Sequence, residues 1–527
     1  MGMRDGPPGA VPPLDPPPLP LLPTWADNPL TCLVRRAQPS HIAKLPAEIL
    51  LHIFHLAQAD HDACFPSYSS PSIYPFFRRR LSPVVALSHV SRTWRVLALA
   101  DTGLWRTLHL DGEIDEGRAE AKALFWADRA TADNANESSG VTSLVLTRVQ
   151  DWSTDEFTYL CDALDLMELV RLRGARISWL GGGVAADENR QLQSFFRFLV
   201  ASATTLASIT LHTPSHLRIL FSLPRLGHTF SALEALDIRS CKTSIPSSDA
   251  YLVPTFLPHF AGEEDWAPLA HLRRLVLVGP VWRLRFRDGT VVSPVLGWAD
   301  VPALEYAHLS ATSPPTHWDL LSHGTGTLRH LILQDFHSGH PHLPDPDVAT
   351  VLPRLHTLKL IGSAPLTARL LDLAVGQHPP DARPHTHTPL LTLPHLHTLA
   401  LCGAQLSPAH LGLVARAWAP ALRHLDLRGT APASPAGAAL TLPAHLSAEL
   451  RVLVLPRGGW AAPAQVVELL ERGGAPALQV LRWSGAAASE HEGESSGDGW
   501  TEWRRWVLGD RGVRLVEGDE ADLEEYE

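Results

Sequence analysis

Two hydrophobic periods divide the chain: apolar residues recur at helical spacing from Ile42 to Leu97, and in a strand-like pattern from Trp105 to Trp483. The first stretch opens as IAKLPAEILLHIFHL at 42–56. Pro46 sits where a first helical residue is favoured, because its missing N–H would be unpaired there. Glu48 suits the positive end of the helix dipole, and Ile49, Leu50, Ile53, Phe54 and Leu56 form a wide apolar face. Residues 57–80 interrupt the pattern with Pro66, Pro71, Pro75 and a serine cluster, and read as an insertion. A second helix is predicted over 82–99, with Ser82 as N-cap and Pro83 as first residue. Leu87, Val90, Trp94 and Leu97 make its stripe, and Asp101-Thr102-Gly103 stops it.

The second stretch repeats apolar-x-x-apolar-x-apolar, usually with leucine. Clear copies are Leu233/Leu236/Ile238, Leu272/Leu275/Leu277, Leu328/Leu331/Leu333, Leu355/Leu358/Leu360, Leu396/Leu399/Leu401, Leu422/Leu425/Leu427 and Leu450/Leu453/Leu455. Weaker copies are Trp105/Leu108/Leu110, Val141/Leu144/Leu146, Met167/Val170/Leu172, Leu206/Ile209/Leu211, Leu304/Ala307/Leu309 and Leu478/Leu481/Trp483. Seven of the twelve intervals fall within the roughly 20–29 residues of a leucine-rich repeat. Each triplet is a short strand of a parallel sheet with its leucines in a stacked core, and one unit cannot bury that side alone. The expected fold class is therefore α/β: a small helical unit, then a curved leucine-rich-repeat solenoid with helices or loops outside. The place three residues after the triplet, where regular arrays carry Asn or Cys, holds Cys241 once but Pro214, Pro280, Phe336, Ser363, Ala404, Thr430 and Gly458 elsewhere. The array is expected to be irregular.

Composition trims the ends. Residues 1–40 hold eleven prolines and read as a solvated polyproline tail. The helical domain is placed at 41–110 with its insertion at about 57–80, and the solenoid at 111–484. A flexible linker and acidic tail are placed at 485–527, with a short packed turn near 501–508. The last eleven residues carry seven acids and no base. The net charge of −11 argues against a nucleic-acid binder, and no apolar run is long enough to cross a membrane. Five scattered cysteines without a CxxC fit a reduced, cytoplasmic or nuclear protein.

Residues 42–108 resemble an F-box. Leu45-Pro46-Ala47-Glu48-Ile49-Leu50-Leu51-His52-Ile53-Phe54-His55-Leu56 is close to the family's opening. Leu87-Ser88-His89-Val90-Ser91-Arg92-Thr93-Trp94-Arg95-Val96-Leu97-Ala98, followed by Leu104-Trp105, is similar to its second half. The split version looks like F-box-like proteins common in fungi. The resemblance implies an exchangeable receptor of a cullin–RING (SCF-type) ubiquitin ligase. Its F-box docks a Skp-family adaptor, which joins it to the cullin, and its repeats hold a protein substrate for ubiquitination. Carried over by position, the adaptor contacts are Leu45, Pro46, Ile49, Leu50, Phe54, Val90, Trp94 and Leu97. The register of the repeats puts His330, Ile332, Gln334, Thr357, Lys359, Thr398, Ala400, His424, Asp426 and Arg428 on the concave face. His330, Gln334, Lys359, His424, Asp426 and Arg428 are the substrate-binding candidates.

Other chemistry finds no pattern. No phosphate-binding loop, nucleophile elbow or HExxH occurs, and Gly181-Gly182-Gly183 stands alone. His337/His340/His342 and His385/His387/His395/His397 read as loop and strand-surface residues, not a metal site. No catalytic residue and no cofactor is expected. The alternative reading is a non-catalytic leucine-rich scaffold whose helical segment only caps the solenoid, since terminal repeats need a cover for their open apolar end.

Overall fold

The computed structural model describes residues 42, 45–63, 82–115, 117–131, 140–166, 171–178, 185–213, 227, 229–240, 268–278, 284–285, 291–292, 301–310, 326–334, 350–362, 391–403, 405–406, 421–428, 431–432, 446–455, 468–483 and 512–516. Its frame is a 14-stranded sheet in which strand order follows chain order. The strands are β1 Thr107–Asp111, β2 Ser143–Thr147, β3 Gly174–Ser178, β4 Ser208–Thr213, β5 Ala235–Ser240, β6 Arg274–Val278 and β7 Tyr306–Ser310. They continue as β8 His330–Gln334, β9 Thr357–Ile361, β10 Thr398–Cys402, β11 His424–Asp426, β12 Val452–Leu455, β13 Val480–Trp483 and β14 Arg514–Val516. Every neighbouring pair is parallel, as a solenoid of one-strand units requires.

The register is set by the middle apolar residue of each unit. Leu108, Leu144, Ala175, Ile209, Leu236, Leu275 and Ala307 stand side by side, followed by Leu331, Leu358, Leu399, Leu425, Leu453, Leu481 and Leu515. A one-residue slip anywhere would turn a leucine out of the core, which is why short strands separated by uneven loops stay aligned. A second buried file runs through Leu110, Leu146, Ile177, Leu211, Ile238, Leu277 and Leu309. Both files from Leu108 to Leu481 belong to one continuous core.

Two repeats depart from expectation. The third unit is Leu172/Ala175/Ile177, all buried, and not Met167/Val170/Leu172. Leu172 fits both frames, but a helix consumes the chain up to Leu166, so the strand starts later. Met167 and Val170 lie outside the described residues. The sheet also runs one strand beyond the expected end at 484: β14 pairs with β13 and sets Leu515 opposite Leu481. Its unit, Gly512/Leu515/Glu517, keeps one of three apolar positions, too little to see as a repeat. The turn expected near 501–508 and the Pro-rich segment 1–40 lie outside the described residues.

The helical unit precedes the sheet as α1 (Ala47–Ala63), α2 (Pro83–Ser88) and α3 (Arg92–Ala100), then a 3-10 turn at Thr102–Trp105. The expected single helix over 82–99 is broken at His89–Ser91. Ser82 makes no side-chain cap, whereas the hydroxyl of Ser91 accepts from the Trp94 N–H at 3.1 Å and restarts the helix. Helices α4 (Ala119–Thr131), α5 (Thr154–Leu166) and α6 (Ala185–Val200) return between β1 and β4. Ser153 and Glu156 form a reciprocal capping box at the start of α5, which lowers the Glu156 carboxyl below its ordinary value.

Candidate functional site: an apolar face on the helical unit

Leu50, Phe54, Val84, Ala98, Leu104 and Trp105 are buried and form the inside of the helical unit. The Phe54 and Trp94 rings meet at 5.0 Å. The Trp105 indole donates to the Ala98 carbonyl at 2.8 Å and packs edge-on against Trp126 of α4 at 4.7 Å. Trp126 in turn donates to the Thr107 carbonyl of β1 at 3.0 Å. These two tryptophans fasten the unit to the open end of the sheet. His55 and Asp101 hydrogen-bond at 3.0 Å, and the same carboxylate accepts from the Gly103 N–H at 2.8 Å, closing the loop after α3 onto α1.

The opposite side is unpartnered among the described residues. Ile49, Ile53, Leu56, Val90 and Val96 are between 38% and 61% exposed. Ile49, Ile53 and Leu56 recur at i, i+4 and i+7, one stripe of α1. A small unit that carries five exposed branched aliphatics beside its own filled core has more apolar surface than its packing uses.

Measured against the expected contacts, the eight residues separate into three groups. Pro46, Ile49 and Val90 are exposed. Leu45, Trp94 and Leu97 are half-buried and pack against the core from its edge. Leu50 and Phe54 are fully inside, where they hold the unit together. Ile53, Leu56 and Val96 join the exposed set. The period of α1 contains Ile53 and Leu56, but without a structure nothing tells the inner from the outer half of so wide a face.

The six repeat candidates all stand on strands or strand ends, alternating with the buried leucines. The His330 Nδ1 meets the Thr357 hydroxyl at 3.1 Å, and Gln334 meets His308 Nε2 at 3.1 Å. Asp426 is 2% exposed and is held by Arg428 through both the backbone N–H at 3.0 Å and the guanidinium at 2.8 Å. Asp237 and Arg239 repeat that pairing on β5. Lys359 and His424 are half-buried. Burial, ahead of the attraction of Asp237 and the repulsion of Arg176 and Arg239, pushes His212 down to about 3. Burial pushes the Cys161 thiol well above the usual range, so it is an inert core residue. No group of three or more His, Cys, Asp or Glu among the described residues could hold a metal ion. His337, His340, His342, His385, His387 and Gly181-Gly182-Gly183 lie outside the described residues, as do the aromatic residues of the insertion. No described helix is long and apolar enough to cross a membrane.

Comparison with known proteins adds one assignment. Residues 42–111 match the F-box-like family model. No curated protein matches the chain. Among solved structures, the yeast Rad7–Elc1 complex aligns over 94% of this chain and 98% of the matched chain, at 14% identity and a TM-score of 0.33. A superposition that loose bears no functional argument.

Proposed function

We propose that the chain is a non-catalytic substrate receptor of an SCF-type ubiquitin ligase. The helical unit docks a Skp-family adaptor, which links it to a cullin, and the repeat sheet holds a protein substrate. The observation that carries this reading is the coincidence of two facts in one segment. Residues 42–111 match the F-box-like model, and the same residues leave Ile49, Ile53, Leu56, Val90 and Val96 in solvent. Burying such residues against a partner is worth about 1.5–3 kcal/mol each before the costs of association. Leu45 and Pro46 sit at the mouth of the same helix.

The scaffold reading expects the helical unit to be spent on covering β1. Covering is done by Trp105 and Trp126, while the buried side of α1–α3 packs within the helical unit, and the outer stripe stays unused. The receptor reading accounts for both sides. The test is co-purification of the full chain with a Skp-family adaptor and cullin, beside Ile49→Asp/Ile53→Asp and Leu45→Ala/Pro46→Ala variants. Stoichiometric adaptor that both variants lose, with unchanged melting temperature, is the expected result. Equal retention by the variants would sink the docking face.

A further inference from the structure

One residue before each strand, a file of side chains crosses the sheet edge. It reads Glu234, Arg273, Glu305, Arg329, His356, His397, Arg423, Arg451. The carbonyl of each accepts the N–H of the next at 2.8 Å and that of its successor at 2.9–3.1 Å, so the file is locked strand to strand. At strand spacing of about 4.8 Å, the five cationic or imidazole residues from Arg329 to Arg451 span roughly 19 Å. No acid stands in the file between them. Glu305 ends the run, lying 3.7 Å from Arg273 and 3.6 Å from Arg329, and Glu449 lies beside Arg423 at 3.1 Å.

Ring contacts reinforce the file. The Arg274 guanidinium covers Tyr306 at 4.3 Å, Tyr306 meets His330 at 6.0 Å and His330 meets His356 edge-on at 6.5 Å. His356 stacks on His397 at 5.0 Å with planes 29° apart. Arg329 and Arg423 are about half in solvent at either side of that stack. In a chain with net charge −11, this edge concentrates positive charge on a rigid support.

We propose that the strand-start edge of β8–β12 is a recognition surface for an acidic segment of a protein partner, with Arg329, Arg423 and Arg451 as the fixed cations and the stacked His356 and His397 as hydrogen-bonding contacts. This rests on the receptor reading and gives it a substrate class. Charge complementarity selects the occupant, since an extended segment of about six residues matches the span. The groups facing the imidazoles are Glu305 and Tyr306 from β7, Arg329 and His330 from β8, His395 beside β10, and Arg423, Glu449 and Arg451 beyond it. Burial first, then His356 and Arg329, lowers His330, while burial, then Arg423 and His356, lowers His397. His330 and His397 therefore resist protonation. A carboxylate-bearing partner relieves that repulsion, so binding takes up protons and tightens as pH falls.

The test uses the full chain purified with the adaptor. A fluorescein-labelled glutamate-rich peptide and its glutamine counterpart are titrated by anisotropy. The glutamate peptide is expected to bind at least ~10-fold tighter, and an Arg329→Gln/Arg423→Gln/Arg451→Gln variant to lose that preference. Affinity is expected to rise about fivefold from about pH 7.5 to pH 6, a gain absent in His397→Gln. Unchanged discrimination by the arginine variant, with its melting temperature intact, would overturn the proposal. Adaptor retention is scored separately. Retention without peptide discrimination overturns the edge assignment alone, and discrimination without retention supports the edge while removing the receptor reading. If a chain ending at residue 516 gains binding that the full chain lacks, the edge belongs to the chain's own acidic end, and an external partner is overturned.

Discussion

Ile49 and Leu50 are adjacent in sequence and opposite in placement. One stands in solvent and the other is buried against Phe54 and the 3-10 turn. Leu50→Ala is expected to cost about 2–5 kcal/mol through lost burial and the cavity left, whereas Ile49→Ala should stay within about 0.5 kcal/mol. Urea midpoints of the two variants check the contrast. Among the polar residues, His212 links stability to pH. Its folded value of about 3 lies below the ordinary 6.5 of the unfolded chain. Between those values the unfolded state holds a proton that the folded state does not. The stabilisation is complete above about pH 6.5 and declines as pH falls, by up to ~1.4 kcal/mol per pH unit. A His212→Leu variant should show a shallower acid limb in melting temperature against pH, and an identical limb would refute the assignment.

Among the elements, the second helical stretch shows how little a periodic stripe says about continuity. Leu87, Val90, Trp94 and Leu97 fit one helix, yet the Ser91 hydroxyl splits it into α2 and α3 by offering a better start. The break turns Val90 out to solvent while leaving Trp94 against Phe54. Ser91→Ala is expected to cost about 1 kcal/mol in thermal unfolding and to weaken adaptor capture in parallel, because α3 positions Val96. At the end of β1 the constraint is spatial. A Cβ on Gly112 would run into the Arg148 carbonyl, and Arg148 itself adopts a left-handed backbone while pairing with Asp111 at 2.7 Å and with Glu113. Gly112→Ala should therefore lower the melting temperature more than Gly326→Ala, where a Cβ meets nothing.

At the scale of the molecule, the helical unit and the sheet share one core, so neither is a freestanding attachment. Removing residues 1–106 strips Trp105, and the helical unit it anchors, from Trp126 beside β1. The remainder is expected to aggregate at concentrations where the full chain stays monodisperse by light scattering. The other end closes more quietly: β14 completes the sheet with a single leucine of its triplet.

The leucine spacing by itself determined the parallel sheet, its strand order and most of the strand core, because burying one side of a short strand leaves no freedom of register; the inward faces of α4–α6 it left unmarked. It also determined the two halves of the F-box-like segment, including Pro46 and the apolar face of α1. Tertiary structure alone decided which half of that face is inside, since a stripe wide enough to fold the unit and dock a partner reads the same in both roles. It decided the frame at Leu172, where a preceding helix removed one of two equal matches. It also assembled the file from Arg329 to Arg451, whose members lie 26 to 41 residues apart in sequence but one strand apart in space. No local pattern marks them, because their common feature is a position relative to strands.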